Sequence, residues 1–283
     1  MVVICRFGEL FLKGKNRPSF VRALAGAVTA FLAREGIRCM VRATHTRLLL
    51  ETPEHCLFLR RVFGITSFSP ARACPADTDA ICAHACELLG GRSARTFRVS
   101  TQRLTKENKL TSPQMNALLG EAIARRLGLQ VELKQPDAVV GVEILDGVVY
   151  VFVESFPGAG GLPPGTAGTV IQLFDGDFAE LSALLLMKRG CRVICAGFKE
   201  LHLPLVERFA SAPPVFVRIG SLPEVAALAE RFGALAVATG NPEPAGLSAL
   251  SLNSAITLPI LAPVVGKDLS TLRQLQESYE HLC

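Results

Sequence analysis

The chain has 283 residues, 49% apolar and 19% charged, which excludes disorder and suffices for two or three domains. No run of about 18 uninterrupted apolar residues exists to span a membrane. The net charge of +5 is uneven: residues 1–50 carry +7, residues 51–168 balance, and residues 169–283 carry −2, the footprint of a polyanion partner or of a merely solvated basic face.

The opening MVVICRFGELFLKGK is apolar for only four residues after Met1, too short for a secretory core. The expectation is a cytoplasmic protein whose nine cysteines are reduced thiols. Residues 2–7 read as a strand. Residues 17–35 place Phe20, Leu24, Val28, Phe31 and Leu32 at helical spacing, with Pro18 in the first turn and Gly36 as C-cap. Strands at 37–43 and 46–51 complete a β-α-β-β module over residues 1–52. The second module, residues 53–167, reads as helices at 55–63, 77–90 and 112–128, a strand at 95–101, and a hairpin of 137–144 and 148–154 about Asp146-Gly147. A Gly/Pro-rich linker or binding loop follows at 157–166.

The third module, residues 168–283, alternates regularly. Strands at 169–174, 192–198, 215–219, 234–239 and 258–262 are continuous apolar runs, as a parallel sheet covered on both faces requires. Helices at 178–190, 200–210, 222–232 and 268–281 make it a doubly wound α/β domain, whose ligands bind beyond the carboxyl ends of the strands.

Three stretches carry a resemblance. Arg6-Phe7-Gly8-Glu9-Leu10-Phe11-Leu12-Lys13-Gly14-Lys15-Asn16-Arg17 resembles the opening of the tRNA 4-thiouridine synthetase (ThiI, tRNA sulfurtransferase) family, a ferredoxin-like domain. Phe97–Arg103, the hairpin 137–154 and Gly160–Thr166 resemble its THUMP domain. Leu186–Cys191 and Leu258–Pro263 resemble parts of its PP-loop ATP-pyrophosphatase domain. The resemblance implies a ferredoxin-like domain, a THUMP domain and a Rossmann-like α/β domain, in the order already read. It also implies that the first two grip the tRNA acceptor end, while the third adenylates a uridine with ATP before a persulfide sulfur replaces its oxygen.

The family's phosphate loop, Ser-Gly-Gly-[FI]-Asp-Ser, is replaced here. Counted back from Lys188-Arg189-Gly190, its six positions are Phe174, Asp175, Gly176, Asp177, Phe178 and Ala179; a one-residue gap shifts them to 175–180. Either way one Gly remains, both Ser hydroxyls are lost, and carboxylates stand where triphosphate would sit. A like-charge contact at about 4 Å costs on the order of 4 kcal/mol at an effective dielectric of about 20, so two would cancel the roughly 8 kcal/mol of micromolar binding. The opposite reading has Asp175 and Asp177 hold a magnesium ion that bridges to phosphate.

The family's catalytic cysteine lies beyond the last matched elements. No catalytic residue is assigned, and Cys283 is the one candidate thiol. Cys82/Cys86 and Cys191/Cys195 have i, i+4 spacing rather than that of a metal knuckle or redox pair, and the five histidines form no metal motif, so no metal is expected. The candidate RNA-binding residues are Arg6, Lys13, Lys15, Asn16 and Arg17 at the entry to the first helix, and Arg98, Thr101, Arg103, Lys106 and Lys109 on and after a strand of the second module. Scarce aromatics, 6% with no Trp, favour shape and phosphate recognition over base stacking.

The sequence therefore predicts a tRNA-binding protein of the 4-thiouridine synthetase type. It would present the acceptor end to chemistry supplied by a sulfur donor or an active partner enzyme, without a membrane, and as a homodimer if it self-associates. No cofactor is expected. One alternative is an active ATP-dependent sulfurtransferase using ATP and magnesium; another is an assembly subunit without an RNA role.

Overall fold

The computed structural model describes residues 1–8, 14–105, 110–243 and 257–282. Their contacts define two units that interleave along the chain. The first comprises Met1–Arg6, Cys39–Cys56 and Ser67–Pro157; the second comprises Phe7–Arg38, Leu57–Thr66 and Gly158–Cys283. Helix α1 (Arg17–Arg34) belongs to the second.

Strands β1 (Val2–Arg6), β2 (Met40–Ala43), β3 (Arg47–Glu51), β4 (Ser67–Pro75), β5 (Thr96–Arg103), β6 (Gln130–Val131), β7 (Ala138–Leu145), β8 (Val148–Phe152) and β9 (Phe156–Pro157) form the sheet of the first unit. Their order is β2-β3-β1-β4-β8-β7-β5-β6, with β9 against β4. The β7–β8 turn has Asp146 at φ 50° and Gly147 at φ 77°, the backbone a two-residue hairpin demands. Helices α2 (Thr78–Gly90) and α3 (Ser112–Leu127) cover one face. They pack Ile81, Ala85, Met115, Leu119 and Ile123 on Phe97, Val140, Val142, Val149 and Val151. Asp77 caps α2, while α3 starts on a Thr111/Gln114 capping box and ends at left-handed Gly128.

Two local readings needed correction. Residues 55–63 are not a helix but one 3₁₀ turn, Leu57–Arg61, bounded by Cys56 at φ 53° and Gly64 at φ 104°. Strand β4, nine residues long, escaped the sequence reading because Pro70 and Pro75 demote a run to an edge or a non-strand. The sheet accommodates Pro70 because β4 pairs with β1 over Ser67–Ala71, whereas on its other side β9 pairs only at Ser67 and Phe68 and β8 begins at Arg72. Pro70 lies in that gap, paired on one side alone.

The second unit holds a five-stranded parallel sheet: β10 (Thr169–Leu173), β11 (Arg192–Gly197), β12 (Val215–Arg218), β13 (Ala234–Ala238) and β14 (Ile260–Leu261), in the order β12-β11-β10-β13-β14. Helix α4 (Ala179–Lys188) follows β10, α5 (Pro204–Phe209) follows β11, α6 (Glu224–Phe232) follows β12, and α7 (Leu269–Glu280) follows β14. Helix α6 covers one face through Val225, Leu228 and Ala229. Helices α4, α5 and α7 cover the other through Leu181, Leu184, Leu205, Phe209, Leu272 and Tyr279, joined by Phe63. The expected helix over 200–210 starts only at Pro204, suited to a first helical turn. Six residues are too few to stand alone, and side chains hold both ends. The Glu180 carboxylate accepts the N–H groups of Leu205 and Val206 at 2.8 and 3.0 Å. The Arg34 guanidinium donates to the Glu207 and Ala210 carbonyls at 2.8 and 3.1 Å.

Gly161 marks a close backbone approach: its φ is +75°, and a Cβ there would lie 2.2 Å from the Lys188 carbonyl oxygen. Gly161→Ala is expected to destabilise the second unit by about 1–3 kcal/mol, from the backbone conformation and the displaced contact. A denaturant midpoint unchanged from the parent would refute this.

Candidate nucleic-acid interface and phosphate loop

In the second unit, Gly14 at φ 51° begins a turn that runs into α1. Lys15 and Asn16 are exposed and Arg17 is half-buried. Asn16 stands at the N-cap without a side-chain cap bond, and the first turn carries no acid. Positive charge therefore meets the positive end of the helix dipole. Lys13 lies outside the described residues, as do Lys106, Lys109 and Cys283.

In the first unit the pleat of β5 divides the candidates. Successive side chains alternate faces, so Arg98 lies on the face opposite Thr101 and Arg103. Arg98 donates to the Leu133 carbonyl at 3.2 Å. Arg103 donates to the Leu110 carbonyl at 2.9 Å. The Thr101 N–H donates to Asn116 of α3 at 2.9 Å.

Arg6 holds the sheet together rather than standing open to a ligand. Its Nε donates to Glu143 at 2.6 Å, its Nη1 to Ser69 at 3.1 Å, and its guanidinium lies 4.7 Å from the Phe152 ring centroid. The other Glu143 oxygen accepts Arg47 Nε at 2.7 Å, and Arg47 Nη2 reaches Gln102 at 2.9 Å. Glu143 is 3% exposed and Arg47 4%. Sequence reasoning missed this triad. Its signal was a lone acid inside the apolar run Ala138–Leu145, which needs a buried partner.

The α/β sheet runs outward from β10 in both directions, so its topological switch point lies between β10 and β13, where such folds bind ligands. Here one side chain bridges the two strand ends. The Asp175 carboxylate, just past β10, accepts the Thr239 hydroxyl at 2.6 Å and the Gly240 N–H at 2.8 Å, just past β13. A Cβ on Gly240 would lie 2.3 Å from Ala179 Cα, and one on Gly176 3.0 Å from the Gly240 carbonyl oxygen, so the β13 turn rests on the first residue of α4. Beneath it the Ser182 hydroxyl lies 2.7 Å from Gln172 Oε1 and 3.0 Å from the Thr239 carbonyl oxygen, all three residues fully buried. Asp177 and Gly176 are exposed, Phe174 is half-buried and Phe178 buried. Asp175 is exposed as well; the two aspartates differ in that Asp175 is hydrogen-bonded to Thr239 and Gly240.

Burial raises the thiol pKa of Cys195 and of Cys56 to about 12 and also raises those of Cys5, Cys82 and Cys191. These thiols stay protonated at pH 8. They are expected to resist iodoacetamide in the native protein and to react after unfolding, as peptide mass mapping would show. Rapid native alkylation of Cys195 would contradict this.

Among the described residues, no helix is long and apolar enough to cross a membrane, and no three His, Cys, Asp or Glu side chains group as metal ligands.

A helix-backed mixed sheet interleaved with a doubly wound α/β unit defines the class: a THUMP protein with a Rossmann-like partner unit. The ThiI ferredoxin-like domain matches residues 2–69 and the THUMP domain residues 76–154. A probable tRNA sulfurtransferase of Methanocaldococcus jannaschii is 34% identical over 221 residues, 73% of this chain and 57% of that protein. One of Thermus thermophilus is 29% identical over 95% of this chain and 77% of its own length. The crystal structure of PH1313 from Pyrococcus horikoshii is 28% identical, with TM-score 0.88 and 99% of each chain covered. A 4-thiouridine synthetase–RNA complex with bound ATP shares the fold at 24% identity, with TM-score 0.80 and 99% and 84% coverage. The chain spans about half the length of the first curated relatives it matches: 57%, 50% and 54%. It belongs to the ThiI, or tRNA 4-thiouridine synthetase, family.

Proposed function

We propose that this protein binds the acceptor end of tRNA through its ferredoxin-like and THUMP domains, serves tRNA thiolation, and does not bind ATP in its α/β unit. The RNA half of the reading rests on the two matched domains and on relatives that are tRNA sulfurtransferases by name. One observation carries the other half. Asp175 is held at the switch point by Thr239 and Gly240, and a carboxylate there repels triphosphate. Adenylation and sulfur transfer then fall to a sulfur donor or a partner enzyme.

Calorimetry with ATP and magnesium tests it: no saturable binding is expected below millimolar ATP, with or without tRNA. A dissociation constant near a micromolar would favour the active-sulfurtransferase reading; loss of that binding in Asp175→Ala would assign magnesium to Asp175. Filter binding with a tRNA transcript tests the RNA half, and the assembly-subunit alternative predicts no retention.

A further inference from the structure

The sheet of the first unit consists of two halves that share one strand. Strands β1–β3 lie on one side, and β5–β8 on the other. Strand β4 pairs Ser67–Ala71 with β1 and Arg72–Pro75 with β8. Backbone bonding alone would let the halves twist about Ala71–Arg72. The Glu143 triad spans that joint: Arg6 on β1 and Arg47 on β3 converge on Glu143 of β7, and Arg47 continues to Gln102 of β5. Arg42 of β2 makes a second crossing, donating to the Tyr150 hydroxyl on β8 at 3.1 Å.

We propose that the Arg6–Glu143–Arg47 triad is a clasp fixing the twist between the two half-sheets, and that Glu143 is thereby a positioning residue for RNA bound through the ferredoxin-like and THUMP domains, to which the two half-sheets belong. The RNA part rests on the function proposed above. A buried ion pair is no better for stability than apolar packing of equal volume. Its particular quality is direction. Two guanidinium groups, one on each oxygen of a single carboxylate, admit one relative placement of three strands. Two domains held at a fixed angle act on one RNA at high effective concentration, an advantage a loose joint forfeits.

The test exploits a sign. Glu143→Gln makes the protein one charge more positive, so electrostatics alone predicts tighter RNA binding. The clasp predicts the reverse: about tenfold weaker binding of a tRNA transcript, against the roughly 10²–10⁴ that ideal linkage confers, with the salt slope unchanged because no phosphate contact is removed. Glu121→Gln, in an exposed pair with Arg125, makes the same charge change and should not weaken binding.

The joint itself is read without RNA. Nitroxides on ketone-bearing amino acids replace Met40 and Leu133, which are 65% and 69% exposed, so the native cysteines stay in place. Electron–electron resonance should give a narrow distance distribution in the full-length parent and a broad one in Glu143→Gln. Arg6→Gln keeps the buried Arg47–Glu143 pair and serves if Glu143→Gln does not fold. A distribution as narrow in the variant as in the parent overturns the clasp. Broadening without loss of tRNA affinity overturns the positioning role. If the parent binds no tRNA, the proposed function fails while the distance measurement still decides the clasp.

Discussion

Replacing Lys13, Lys15 and Arg17 together by alanine is expected to weaken tRNA binding and to lower the slope of log affinity against log salt by roughly two to three units. Each cation that neutralises a phosphate releases condensed counterion, worth about 0.7–0.9 of a unit per contact. Lys15 and Arg17 stand at the positive end of α1, whose first turn carries no acid. Arg103→Ala, in the first unit, should produce a smaller, separate loss. Residues 169–283 carry a net −2 and should supply little of the attraction. A solubilising basic face predicts a parallel salt dependence for parent and triple variant, and that outcome would end the hypothesis. Filter binding from about 50 to 200 mM salt spans the useful range.

Phe209→Ala should cost the second unit about 3–5 kcal/mol, the usual range for deleting a buried aromatic side chain. Phe209 is 1% exposed. Its ring stacks on Phe63 at 5.4 Å between centroids and meets Tyr279 edge-on at 5.5 Å. Three segments far apart in sequence — the loop before Gly64, α5 and α7 — share this one contact. The residual cavity adds to the lost transfer energy because three separate backbones cannot all collapse into it. Urea unfolding followed by near-ultraviolet dichroism measures the effect. A loss under about 1 kcal/mol would mean that the site repacks freely.

Periodicity and turn chemistry made most of this fold legible. The α/β unit declared itself through apolar runs punctuated by helices, and the β7–β8 hairpin through Asp146-Gly147. What stayed hidden depends on partners distant in sequence. Strand β4 was masked by Pro70, whose tolerance follows from a gap in pairing that no local window contains. The 3₁₀ turn at Leu57–Arg61 has helical composition, but left-handed Cys56 and Gly64 confine it. The site divides in the same way. The altered phosphate loop was readable as residues, but the use of Asp175 was not, because Thr239 and Gly240 lie more than sixty positions away. Charge counting overstated the free cations of the first fifty residues: Arg6 and Arg47 are absorbed by Glu143, and Arg34 by carbonyls of α5.

The partner change along β4 also governs how this protein can be dissected. The two matched domains meet at residues 69 and 76, which looks like an invitation to cut between them. Any such cut falls within or just after Ser67–Pro75. A fragment beginning at residue 76 would bare the rim of β8 along Val148–Val151, a ladder of unpaired backbone groups flanked by valines, which recruits other chains. A fragment ending at residue 69 would keep a stub of β4 too short to seal β1. Soluble, faithful pieces should require Ser67–Pro75 in both halves, one strand supplied twice.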